Sequence, residues 1–274
     1  NMNTKEIMDM ALKMAGLDEV PADSGIIFPG ENIKKVAFGV DMEAVEMLIA
    51  RELGADLVIT HHPVGGSPRL NLYKVMENQV TRMVAAGVPI NRAQKVLREQ
   101  KGKVERGLHV SNYDRAVSAA KLLRMPFMGI HTPADLLSER RVQALLDGAL
   151  SPRSTLAEVV AALKGLPEYR NALTQPEIRV GGEKDYAGRV FVTMAGGTNG
   201  GIEVAKAYFE AGIGTLVCMH MPEDVLKAVK EQNIGNIIVA GHMASDSIGI
   251  NMILQALKDK GLEVIPMSGV IENN

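Results

Sequence analysis

The apolar positions fall into short runs of strand length, separated by stretches whose apolar residues recur at helical spacing. Ile7, Met8, Ala11, Leu12 and Ala15 predict a helix over 4–16, closed by Gly16. A polar loop with Pro21, Pro29 and Gly30 leads into the short strand 36–40. Asp41 follows, placed to cap a helix over 42–53 whose core face is Val45, Leu48, Ile49 and Leu53; a place beside the metal rim is its second candidate role, ranked below capping. Gly54-Ala55 then turns into the run Asp56–Thr60, which ends in His61-His62-Pro63. Strand, helix and strand make one βαβ unit with a right-handed crossover. Further on, the pattern predicts helices over 72–86 and 92–106, a third opened by Asp114, a strand over 126–130, and helices near 138–149 and 154–164.

The stretch 166–188 is rich in Gly, Pro and charge and has no periodicity, so it reads as a connecting segment. Beyond it lie strands 189–194, 214–219, 236–240 and 262–266, alternating with helices 200–211, 222–232 and 246–260. The fold class is α/β. The expected organisation is an amino-terminal lobe over 1–165 and a carboxyl-terminal lobe over 189–274, facing each other across a metal-binding cleft.

Composition narrows the setting. Net charge is −2 with the basic residues scattered, which excludes the wide electropositive face of a dedicated nucleic-acid binder. One cysteine, Cys218, excludes an intramolecular disulfide and reads as a small buried hydrophobe. The stretch Asn1–Lys5 lacks the apolar core of a signal peptide, and no apolar run approaches the ~18 residues of a membrane span. The expectation is a cytoplasmic protein.

The histidines change the picture most. Of six in the chain, His61, His62, His131, His220 and His242 sit at the carboxyl ends of predicted strands; only His109 does not. Ligands of open α/β sheets bind at that edge. Asp135 and Asp246 each follow a histidine by four residues. His61, His62 and His242 with Asp135 and Asp246 supply three nitrogens and two carboxylates, too many for one structural tetrahedral zinc and suited to two divalent ions ~3.5–4 Å apart. Imidazole with carboxylate suits Fe, Zn or Mn. Adjacent residues of an extended strand point oppositely, so His61 and His62 share a site only if the chain bends after Thr60. His131 and His220 are candidates for residues beside the ligands. A second candidate is the turn Gly196-Gly197-Thr198-Asn199-Gly200-Gly201, where a helix amino terminus behind glycines could hold a phosphate or simply form a tight βα turn. No Ser-His-Asp order stands out, so metal-activated water is the expected nucleophile.

Taken together, Gly39-Val-Asp41, Gly54 to Pro63, His131-Thr-Pro-Ala-Asp135, Gly196-Gly197 and Gly241-His-Met-Ala-Ser-Asp246 resemble the Nif-three-like family, also called GTP cyclohydrolase I type 2-like. The resemblance implies two α/β lobes with a dinuclear metal site, and His61, His62, Asp135, His242 and Asp246 as ligands with His131 close by. For bacterial relatives it also implies a ring-shaped hexamer. The chain departs from the family pattern in three places. Asp246 stands where Glu is usual, Met219-His220 where relatives carry Gly and an acid, and 65–125 matches poorly. The expected function is a metal-dependent hydrolase of a nucleotide or related heterocycle. The alternative is a non-catalytic metal-delivery protein or interaction regulator.

Overall fold

The computed structural model describes residues 1–274 and contains nine strands in two sheets. In chain order, α1 (Thr4–Ala15), β1 (Gly25–Phe28), β2 (Lys35–Gly39), α2 (Ala44–Glu52), β3 (Leu57–Thr60) and α3 (Gly66–Leu70) lead into a 3-10 segment, Leu72–Glu77. There follow α4 (Asn78–Ala85), α5 (Ile90–His109), α6 (Arg115–Leu123), β4 (Phe127–Gly129), α7 (Thr132–Ala149), α8 (Leu156–Leu163), α9 (Pro167–Asn171) and β5 (Glu177–Val180). The chain ends with β6 (Val190–Thr193), α10 (Ile202–Glu210), β7 (Thr215–Cys218), α11 (Glu223–Gln232), β8 (Asn236–Val239), α12 (His242–Asp259) and β9 (Glu263–Met267).

Two compact units emerge, and they interleave along the chain. The first takes residues 1–75, 104–137 and 246–272, the second 76–103, 138–245 and 273–274. This differs from two consecutive lobes divided at 166–188. The reason is that the chain passes between the units inside the 3-10 segment and inside α5, α7 and α12, so these boundaries leave no composition break. The last strand belongs to the first sheet, not to a carboxyl-terminal lobe, because β9 pairs in parallel with β2.

The sheet of the first unit has the order β1-β4-β3-β2-β9, and that of the second β5-β8-β7-β6. β2, β3 and β4 run parallel, as do β6, β7 and β8. Each sheet then adds one antiparallel edge strand with a register irregularity: β1 on β4, shifted between Ile26 and Phe28, and β5 on β8, shifted between Ile178 and Val180. One strand plan is used twice, and β9 extends the first copy.

Parallel strands covered on both faces read as unbroken apolar runs, and Leu57–Thr60 and Thr215–Cys218 are buried throughout. Met47 and Ala50 of α2 are buried with Ala37, Val58, Ala116 and Ala120 in one core cluster. The expected core face of α2 is thereby corrected: Val45, Leu48, Ile49 and Leu53 are 60, 42, 45 and 50 % exposed. The small Ala50, Ala116 and Ala120 let α2 and α6 settle close to the sheet, leaving the larger stripe outside. Gly39 ends β2 where β9 crowds it; a Cβ there would lie 2.7 Å from the Met267 carbonyl. No helix is long and apolar enough to cross a membrane.

Candidate metal centre

The centre is built within the first unit, just beyond the ends of β3 and β4 and on the parts of α7 and α12 that this unit holds. Beyond Thr60 the chain does bend. The Thr60 hydroxyl donates to the His62 carbonyl at 2.9 Å and accepts from the Met42 amide at 3.1 Å. The His61 and His62 amides donate to the Gly39 and Val40 carbonyls, at 2.9 and 2.8 Å. Both rings thus turn to one side, with centroids 5.3 Å apart. His131, the second residue beyond β4, brings a third ring 4.8 Å from His61 and 5.8 Å from His62.

Each ring is held by Nδ1 and faces carboxylate with Nε2. His61 Nδ1 lies 3.0 Å from the Ile130 carbonyl oxygen, His62 Nδ1 2.8 Å from Asp41 Oδ1, and His131 Nδ1 2.7 Å from Asp23 Oδ2. On the other side, His61 Nε2 is 3.1 Å from Asp135 Oδ1 and 3.2 Å from Asp246 Oδ1. His62 Nε2 is 3.0 Å from Asp246 Oδ2, and His131 Nε2 is 3.3 Å from Asp135 Oδ2. Asp135 sits in the first turn of α7 and Asp246 one turn into α12, so both carboxylates are carried on helices.

This donor set fits a cation. A carbonyl only accepts, so His61 Nδ1 carries a proton, and in the neutral form of the ring Nε2 would present a lone pair to two carboxylate oxygens. All three groups are then acceptors, all are buried, and neither His61 Nε2 nor Asp135 Oδ1 has a hydrogen-bond partner. Burying such a set is costly unless a positive charge joins it. The separations of 3.1 and 3.2 Å match two donors on one cation, roughly 3.0–3.4 Å for bonds near 2.1 Å. His61, Asp135 and Asp246 form one group able to hold an ion, and His61, His62 and His131 another.

The electrostatics agree. Burial opposes charge on His61, yet the carboxylates of Asp246 and Asp135 outweigh it and raise its pKa well above the ordinary imidazole value. Burial likewise opposes charge on His62, whose hydrogen bonds to Asp246 and Asp41 nevertheless raise it to about 9. Without a metal, protons fill the negative potential that a divalent ion would otherwise neutralise.

The remaining sequence candidates divide. His242 opens α12 one turn before Asp246, in the portion of that helix assigned to the second unit, where its ring lies 4.6 Å from that of His220. His109 ends α5, away from the strand ends. The Cys218 thiol is pushed up to about 12 by burial, in keeping with a small hydrophobe. Around Gly196, Gly197, Thr198 and Gly200 the glycines have a packing reason. The Gln79 carboxamide donates to the Gly196 and Thr198 carbonyls at 2.8 and 2.6 Å, and a Cβ on Gly196 or Gly200 would lie 2.7 or 2.4 Å from its side chain. A filled, tight turn accounts for them, and nothing in it selects a phosphate. Sequence reasoning missed Asp23 and ranked capping above the metal rim for Asp41. The start of α2 is closed by Glu46, which accepts from the Glu43 amide at 2.9 Å, while the Asp41 carboxylate orients His62. The signal for Asp23 was Pro21-Ala-Asp23-Ser24 ahead of the unpredicted β1, too short to distinguish from a loop.

No profile of a known family and no curated protein matches the chain. Among solved structures, a NIF3 superfamily protein from Sphaerobacter thermophilus is 37% identical, with a TM-score of 0.95 over 98% of this chain and 99% of that one. Reduced HcgD from Methanocaldococcus jannaschii and TTHA1606 from Thermus thermophilus share the fold, at TM-scores of 0.61 and 0.56 and identities of 15% and 16%. They match 97% and 100% of this chain and 97% and 99% of their own.

Proposed function

The chain belongs to the NIF3 superfamily, and from that membership and the donor set we propose a metal-dependent hydrolase acting on a nucleotide or related heterocycle. One observation carries the reading: His61 Nε2 lies buried between Asp135 and Asp246, two carboxylates converging on one imidazole nitrogen. His61, Asp135 and Asp246 would hold the ion, with His62 bridging toward Asp246 from the solvent side. The proposed set has five donors, His242 being the fifth, and takes two ions of Fe, Zn or Mn. Bound there, a divalent ion supplies Lewis-acid chemistry and lowers the pKa of water. The chain's own contribution is orientation. Asp41 keeps His62 Nε2 turned inward, and the Ile130 carbonyl does the same for His61. His62 retains 25% side-chain exposure while Asp135 and Asp246 are nearly sealed, so substrate would approach along His62.

That sealing also favours a second reading, metal storage or delivery without turnover. Assembly into a ring-shaped hexamer belongs to the same proposal and is read by light scattering.

Metal content by mass spectrometry on untagged protein, beside a His61→Ala/His242→Ala double variant, tests the site. The expected result is about two ions per chain, lost in a variant that still folds. Absence of metal in the wild type after loading with Fe, Mn or Zn would refute it. A nucleotide panel separates the two readings: turnover abolished by His62→Ala supports the hydrolase, and metal exchange with no turnover supports delivery.

A further inference from the structure

His131 lies between two carboxylates, and only one of them points toward the other histidines. Asp23 is fully buried, in the loop just before β1, and takes hold of the start of α7 at several points. Its Oδ2 meets His131 Nδ1 at 2.7 Å and accepts from the Thr132 hydroxyl at 2.7 Å. Its neighbour Ser24 hydrogen-bonds Asp23 through its hydroxyl at 3.2 Å and accepts the His131 amide at 2.9 Å. Both the ring and the backbone of His131 are therefore pinned by the same pair of residues.

We infer that Asp23 is a positioning residue that fixes His131 with Nε2 turned toward Asp135, making His131 an imidazole donor of the buried centre in addition to the five proposed above. The inference rests on the metal-binding reading above and deepens it. Three features support it. The imidazole nitrogens of His61, His62 and His131 lie close enough to share an ion. The Nδ1–carboxylate contact of His131 repeats that of His62 with Asp41, the arrangement by which a backing carboxylate sets a ligating ring's tautomer and strengthens its basicity. Finally, Asp23 has no surface to serve, being buried among groups that all lead to His131 or Thr132. A structural ion pair would need only one carboxylate on this ring; two, on opposite nitrogens, leave the inward one for a shared cation.

Titration of the metal-free protein with Co2+, followed by visible absorption, tests this without an activity assay. Asp23→Asn is expected to weaken Co2+ binding ~10–100-fold, as loss of a backing partner does, and to shift the absorption bands. His131→Gln should do at least as much, and the double variant no more than His131→Gln alone, because Asp23 acts through that ring. Should Asp23→Asn not fold, Thr132→Val carries the test, with a few-fold weakening in the same direction. Wild type that takes up no Co2+ would overturn the metal-binding reading and this inference together. Wild type that binds Co2+, with spectra and affinity unchanged in folded His131→Gln and in Asp23→Asn or Thr132→Val, would overturn this inference alone. Lower thermal stability with unaltered spectra would reduce Asp23 to a packing role and overturn it as well.

Discussion

Both units bury polar side chains beside their sheets, but they satisfy them in opposite ways. In the second unit β6 is an edge strand, and its open side is covered by side chains. Glu139 Oε1 accepts from the Met194 and Ala195 amides at 3.0 and 3.2 Å. Gln143 accepts from the Val192 amide at 2.8 Å and donates to the Val190 carbonyl at 3.1 Å. Arg82 donates to the Val192 carbonyl at 2.8 Å. Donor meets acceptor at each of these contacts, and the one buried nitrogen left without a hydrogen bond, Arg82 Nε, lies 3.5 Å from Glu139 Oε2, so that cluster closes a sheet edge with its charges paired. In the first unit His61, Asp135 and Asp246 turn acceptors toward one another. Burial alone does not mark a functional site. A deficit of positive charge among buried partners does, and only the first cluster has it.

The sharpest way to break that contrast is to remove the carboxylate shared by two rings. Asp246→Asn should lower metal affinity beyond the ~10–100-fold seen for outer partners, measured as ions retained after loading and dialysis. Full retention would mean the cluster is an ion-pair network and nothing else.

Next in size is a pH effect on the metal-free protein. His62 is raised to about 9 in the folded state, so its protonation contributes stability fully below its unfolded value near 6.5 and loses it as pH rises through 9. The loss is at most about 3 kcal/mol, and His61, raised in the same direction, adds to it. Urea denaturation at pH 6 and pH 10 measures it. Metal loading should protect the protein at high pH, since the ion then replaces the protons. A flat profile in the metal-free protein would remove the charge deficit on which the comparison rests.

The opposite cluster should answer to stability and not to metal. Glu139→Ala strands one buried and one partly buried amide, costing about 2 kcal/mol in denaturant unfolding while metal content stays at the wild-type level. Metal loss in that variant would erase the distinction between the clusters.

The legible parts of the chain share a cause. β3, β7 and β8 are apolar runs ending in histidine, and the ligand candidates at 61, 62, 135 and 246 carry their chemistry in their residue type. The illegible parts share one too. β1 and β5 are short, irregular edge strands with partly exposed residues, so neither alternation nor an apolar run announces them. Asp23 and Asp41 act on rings 108 and 21 residues away, a relation set by strand pairing and not by spacing. Interleaving of the units was invisible because helices carry it.

The smallest expected effect bears on α2, where the apolar pattern was read correctly and its direction was not. Helix 44–52 offers one stripe of Val45, Leu48 and Ile49, and another of Met47 and Ala50. Periodicity shows two apolar faces without saying which one the sheet takes. The sheet takes the narrow face, because Ala50 opposite Ala116 and Ala120 permits close helix–helix approach that Leu48 or Ile49 would block. Ile49→Ser should therefore cost no more than about 0.5 kcal/mol of stability, against about 2–5 kcal/mol for Met47→Ala. Denaturation of both variants at several protein concentrations checks this. A large, concentration-dependent cost at Ile49 would show that the outer stripe is covered in solution by another copy of the chain. A large cost independent of concentration would put the stripe back in the core and overturn the packing of α2 described above.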